Sequence, residues 1–209
     1  MSVADDDRAW VERNLPKLAA VYDAAFQWSL LAPSAAMYEL LADGEEQSLQ
    51  EVVADICRHV DLRVVPTVQY EFALRMAPDA AGDIRIGCNV LGGSLIRIPF
   101  FYVGKAHQLG AILTHELAHH LNALLGVWER DTAENERLTD LSVVASGLGK
   151  LTLNGLSTSI KGVLPISGYL DPSVMFYAYQ LVNQHYGVSA QDATAGLLED
   201  VRQRLVAGT

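Results

Sequence analysis

Residues 115 to 119 read His115-Glu116-Leu117-Ala118-His119, a His-Glu-x-x-His motif set inside an apolar, helix-patterned stretch. On an α-helix, residues four apart lie about 40° apart around the axis and roughly 6 Å along it. Both imidazoles therefore leave one face and can converge on a single metal ion. Leu109, Ile112, Leu113, Leu117, Leu121, Leu124 and Leu125 recur at three- and four-residue steps, the stripe of a core helix. His115, His119 and Asn122 fall on the opposite side, so the helix is expected between a hydrophobic core and a cleft, with Gly126 as its stop signal. Glu116 directly follows the first histidine, where its carboxylate can reach a water bound to the metal rather than the metal itself. Metal-assisted hydrolysis needs this arrangement: two neutral nitrogen ligands, an open coordination position and an adjacent base. His120 points about 100° away from His119 and reads as a packing or supporting residue.

Two histidines leave a catalytic zinc site short of one protein ligand. No histidine follows at short spacing; after Gly126 the next is His185. The segment Glu134-Asn135-Glu136-Arg137-Leu138-Thr139-Asp140-Leu141 offers carboxylates instead, and its continuation predicts a second helix over about 132 to 148. Leu138, Leu141, Ala145 and Leu148 form the core stripe of that helix, while Glu136, Asp140, Val143 and Gly147 form another line. Glu136 is expected to bind the metal, and Asp140 to accept the Nδ1 proton of a liganding histidine and fix its tautomer. Glu134 is the alternative third ligand. Gly147, having no side chain, is expected to let the two helices approach closely.

His-Glu-x-x-His on one helix and Glu-x-x-x-Asp on the next resemble the gluzincin class of zinc metallopeptidases, and within it the branch of the CAAX-prenyl proteases and the small soluble minigluzincins. The resemblance covers about residues 94 to 148. It implies one Zn2+ per chain held by His115, His119 and Glu136, with Asp140 supporting a histidine and Glu116 as the catalytic base. It also implies a peptide or protein substrate, since the site alone argues only for metal-assisted hydrolysis. The membrane helices of the prenyl proteases have no counterpart here, so their substrates do not carry over. The alternative from a different class is a zinc-binding structural or regulatory module without turnover. The presence of Glu116 weighs against it, because a purely structural site needs no base.

The rest of the chain bounds this reading. At 209 residues, half of them hydrophobic, the sequence fits a single domain with a sizeable core. It divides into a helical region over 1–60, the sheet and metal-site helices over 61–148, and a loop with C-terminal helices over 149–209. A formal net charge of −10 and scattered basic residues count against a nucleic-acid partner. The acidic start and the lack of an 18-residue apolar run argue against a secretory signal and a membrane span, so a cytoplasmic protein is expected. Cys57 and Cys88 are expected as reduced thiols.

In the first region Pro16 suggests a helix break or start, and Ser48-Leu49-Gln50-Glu51 reads as a capping box opening a helix that ends near His59. Leu62 to Val65, Val68 to Leu74, Ile84 to Cys88 and Leu95 to Pro99 alternate as strands. Pro99 cannot donate a ladder hydrogen bond, so the last strand is expected to lie at a sheet edge or to end at one, where an extended peptide could pair. Beyond Leu148 a polar connection through Gly155 and Gly162 reads as a loop able to overhang a cleft. Asp171 and Pro172 then open a helix as N-cap and first residue, and a final helix spans about 190 to 206. Tyr169 and His185 are candidates for stabilising an oxyanion. The expected fold is α+β and, by the resemblance, zincin-like: a small, mostly antiparallel sheet packed on the motif helix, with further N- and C-terminal helices.

Overall fold

The structure, a computed structural model, describes residues 3–71, 83–85, 94–159 and 170–207. It is mostly helical with one small sheet. Helix α1 (Val3–Ala25) carries Val11, Leu15, Leu18, Ala19 and Tyr22 at helical spacing, all buried. Pro16 lies inside this helix rather than at a break. An interior proline costs about 3 kcal/mol. Each large apolar side chain buried on the two flanking turns returns about 1.5–3 kcal/mol, which is enough to carry the helix through.

Helix α2 (Ala35–Asp43) is capped by Ser34, whose hydroxyl accepts from the Met37 amide. Helix α3 (Glu46–His59) begins two residues before the expected capping box. Ser48 is spent elsewhere, its hydroxyl donating to Asp43. The expected strand from Leu62 to Val65 is absent. Asp61 adopts a left-handed φ of 50° and the Leu62 amide bonds back to Cys57 O at 2.7 Å, so Leu62 closes α3 instead of starting a ladder.

Strands β1 (Thr67–Glu71), β2 (Asp83–Arg85) and β3 (Leu95–Pro99) form a sheet in the order β1-β3-β2. The longer pairing, β1 with β3, is parallel, and the shorter, β2 with β3, is antiparallel. The sheet is therefore mixed and not mostly antiparallel, because alternation identifies a strand without fixing its partner or direction. Strand β3 is central, not an edge. Pro99 occupies its last position, opposite Glu71, where a missing amide interrupts no inner bond. Side chains of α3 finish the outer edge of β1: Gln50 Oε1 accepts from the Val68 amide at 3.0 Å and Glu46 Oε1 from the Tyr70 amide at 2.7 Å. Gln50 Nε2 also donates to Pro66 O at 2.8 Å.

A 3₁₀ turn (Phe100–Tyr102) leads from β3 into α4 (Ala106–Leu125), which packs against α2, α5 (Thr132–Ala145) and α6 (Gly149–Ser159) and touches β2. Helix α6 replaces the first part of the expected overhanging loop. Its Ser, Thr and Gly content is poor for helix formation. Tertiary packing decides the matter: Leu151 and Leu153 are fully buried, and a Cβ at Gly110 of α4 would sit 3.1 Å from Leu151 Cδ2.

Helix α7 (Pro172–His185) starts as expected, with Asp171 as N-cap. The expected final helix is two, α8 (Ala190–Thr194) and α9 (Glu199–Ala207), separated at Gly196 with φ +77°. Gly147 does not lie between α4 and α5. At φ +84° it terminates α5, and a Cβ there would fall 2.0 Å from Ser29 O of the α1–α2 connection. Among the described residues no helix is long and apolar enough to cross a membrane. Cys57 is a buried free thiol, pushed up to about 12 by burial, while Cys88 lies outside the described residues.

Candidate metal centre

Helix α4 is buried along nearly its whole length from Leu109 to Asn122, so the motif histidines emerge inside the molecule. Helix α5 crosses beside them, its start fixed by Asp131, whose carboxylate accepts from the Glu134 amide at 3.0 Å. From that start, Glu136, Thr139 and Asp140 fall at i, i+3 and i+4 on the side facing α4.

Three atoms converge. His115 Nε2 and His119 Nε2 each lie 3.1 Å from Glu136 Oε2, and the ligand atoms of all three residues are within 4.8 Å of one another. In a tetrahedral site with ligand bonds near 2.0–2.1 Å, two ligand atoms are about 3.3 Å apart. The two imidazole–carboxylate spacings are close to that of donors around one ion, and the three ligand atoms together form a group that could hold one. The two rings are nearly perpendicular, at 86°.

The far sides of both rings are held. His115 Nδ1 donates to Asp140 Oδ1 at 3.1 Å, and Asp140 Oδ2 in turn accepts from the Leu170 amide at 2.9 Å, just before α7. His119 Nδ1 lies 3.1 Å from Thr139 Oγ1, which is 2.9 Å from Asn135 O. His115 and Asp140 form the closed wall, with side chains only 6% and 5% exposed. His119 and Glu136 form the open side at 18% and 20%.

The electrostatics fit a cation. Burial disfavours charge on His115, but hydrogen bonds and charges from Asp140, Glu136 and Glu116 outweigh it and raise the imidazole to about 10. Burial likewise pushes the Glu136 carboxyl up, but His115 and His119 outweigh that and bring it to about 2. Three carboxylates around two imidazoles thus make a pocket that favours positive charge. With two nitrogen donors and one oxygen donor, the set suits zinc and other divalent first-row ions.

The structure brings together His115, His119 and Glu136, and sets Asp140 behind His115. Glu116 is buried at 3% exposure and its charge acts on His115. Glu134 is turned away: Trp10 Nε1 donates to it at 2.9 Å and Arg137 at 2.6 Å. Asn122, expected on the cleft side, is covered by α1, where Tyr22 donates to its Oδ1 at 2.7 Å. His120 is buried outside the cluster, and His59 ends α3 as expected. His185 is not brought to the site. It ends α7, whose first residue follows Leu170 closely, so it stands a helix length of roughly 20 Å away, exposed, against the Tyr186 ring. Tyr169 lies outside the described residues. Sequence reasoning missed Thr139; a hydroxyl three residues after Glu136 and on its face was the available signal.

No protein-family model, curated protein or solved structure matches the chain.

Proposed function

We propose that this protein is a zinc-dependent hydrolase of peptide bonds with a zincin-like arrangement of its motif helices. The observation that carries the reading is the convergence of His115 Nε2, His119 Nε2 and Glu136 Oε2, with both imidazoles anchored from behind. Among the described residues three side chains supply donors, which leaves a fourth position for water or substrate, as in catalytic rather than structural sites. The choice of peptide over another amide or ester rests on the resemblance of the two motifs to gluzincins.

A divalent ion held there supplies Lewis acidity that polarises a carbonyl and acidifies water. Glu116, next in sequence to His115, takes the proton of the attacking water and returns it to the leaving amine. Asp140 holds His115 in the tautomer that leaves Nε2 free to coordinate. Glu136 and His119 border the solvent-facing side, so substrate approaches past them. An extended peptide that adds to the sheet would meet β2 rather than β3. Among the described residues strand β2 is the outer strand, touching α4, and the edge of β1 is already occupied by α3 side chains.

Glu116→Gln tests the reading, because it keeps the volume of the side chain and removes the base. Zinc content should stay at one per chain, and cleavage of a mixed peptide library should fall by at least about a hundredfold. Equal cleavage by both proteins would trace the activity to a contaminant. A zinc-loaded wild type that cleaves no peptide would favour the regulatory module.

A further inference from the structure

The geometry points to Thr139 as the positioning residue for His119. The inference rests on the metal-site reading and concerns how the second histidine is made ready for the ion. His115 is held by a carboxylate, whereas among the described residues His119 Nδ1 lies against a neutral hydroxyl at 3.1 Å. An imidazole that offers Nε2 to a cation must carry its hydrogen on Nδ1, and that hydrogen needs an acceptor. A hydroxyl serves as one only if its own hydrogen has somewhere else to go. Asn135 O, one turn back on α5 and 2.9 Å from Thr139 Oγ1, provides that place.

The hydrogens therefore run in one direction, from His119 Nδ1 to Thr139 Oγ1 and from Thr139 to the Asn135 carbonyl. With its hydrogen on Nδ1, His119 turns the Nε2 lone pair towards Glu136 Oε2 at 3.1 Å, an approach of two acceptors that a cation between them would make favourable. Thr139 is fully buried, so bulk water does not compete for its hydroxyl, and valine, which keeps the volume, leaves no room for a water in its place. Its side chain leaves the same helix face as Glu136, which ties the aim of His119 to the placement of the third ligand.

The test compares Thr139→Val, Thr139→Ser and Thr139→Ala as full-length proteins, with the folded state of each followed by thermal melting. Zinc affinity is measured by competition with a chromophoric chelator, and the His119 Nδ1 proton by imidazole NMR of the zinc-loaded protein. Valine keeps the volume and loses the hydroxyl; serine keeps the hydroxyl and loses the methyl. Positioning predicts a loss of about 10 to 100-fold in zinc affinity for valine, near wild-type affinity for serine, and an exchange-protected Nδ1 proton in wild type and serine only. A residue that merely packs gives the reverse order, with serine worse than valine, and that result overturns the proposal. If valine prevents folding, serine and alanine still differ by one oxygen, and equal zinc affinity in those two overturns it as well. A wild type that binds no zinc removes the metal-site reading and this inference together. Normal zinc binding by wild type and valine alike removes only this inference.

Discussion

The α4–α5 pair and the three-stranded sheet bury opposite kinds of side chain. Between and around the two helices the interior takes in Thr114, His115, Glu116, Asn122, Thr139 and Asp140 among its leucines and valines. The described core-facing positions of the sheet, Val68, Ile96 and Ile98, are all apolar. A buried polar group left without a partner costs about 1–3 kcal/mol, so the helix pair is tolerable only as a connected network. Tyr22 reaches Asn122, Thr152 meets Thr114, and Asp140 links His115 to the Leu170 amide. The difference teaches that chemistry and stability are carried by different elements, and substitutions should separate them.

The largest effect expected is complete. His115→Ala or His119→Ala should abolish stoichiometric zinc binding and Glu136→Ala should weaken it severely, while each protein still folds; elemental analysis beside circular dichroism decides. Full occupancy in Glu136→Ala with loss in Glu134→Ala would undo the ligand assignment.

On the other side of the comparison, Ile98→Ala removes a fully buried side chain from the central strand and should cost about 2–5 kcal/mol in denaturant unfolding. The fraction that remains folded should keep one zinc per chain. Loss of metal from folded Ile98→Ala protein would mean that sheet and site are one unit.

Asp140→Ala should be milder than loss of a ligand, at about 10 to 100-fold in zinc affinity by chelator competition, because the ligand atoms stay and only the aim of His115 relaxes. The smallest change lies at the rim of the sheet. Gln50→Ala leaves the amide of buried Val68 without its acceptor and should lower stability by about 1–3 kcal/mol, with zinc affinity unchanged.

The same division explains what could be read from sequence. The histidines are four residues apart on one helix, and Glu136 and Asp140 four apart on the next, so local spacing alone put the groups on the right faces. Strand pairing has no such local signature. Thr67 of β1 opposes Leu95 of β3, a partner 28 positions along the chain (95 − 67), and the alternation of side chains is identical for parallel and antiparallel neighbours. Pro99 was misleading because an edge strand and the last residue of a central strand tolerate proline equally well. Helix α6 was hidden by its composition, since its packing against α4 depends on Gly110, some 40 residues earlier. Thr139 was hidden because a threonine in a helix ordinarily bonds back to the carbonyl one turn earlier. This one does so, and its lone pairs are thereby left for the histidine.

The side chains that close the outer edge of β1 also govern what happens when copies of this protein crowd together. Stacking strands into an endless ribbon requires every unit to be open on two sides, one to receive and one to offer. Glu46 and Gln50 occupy one of those sides with the chain's own groups. A second molecule that joins at β2 therefore presents no matching side to a third through β1. In these terms the described sheet is a terminator: it can end a growing β-assembly but cannot pass it on.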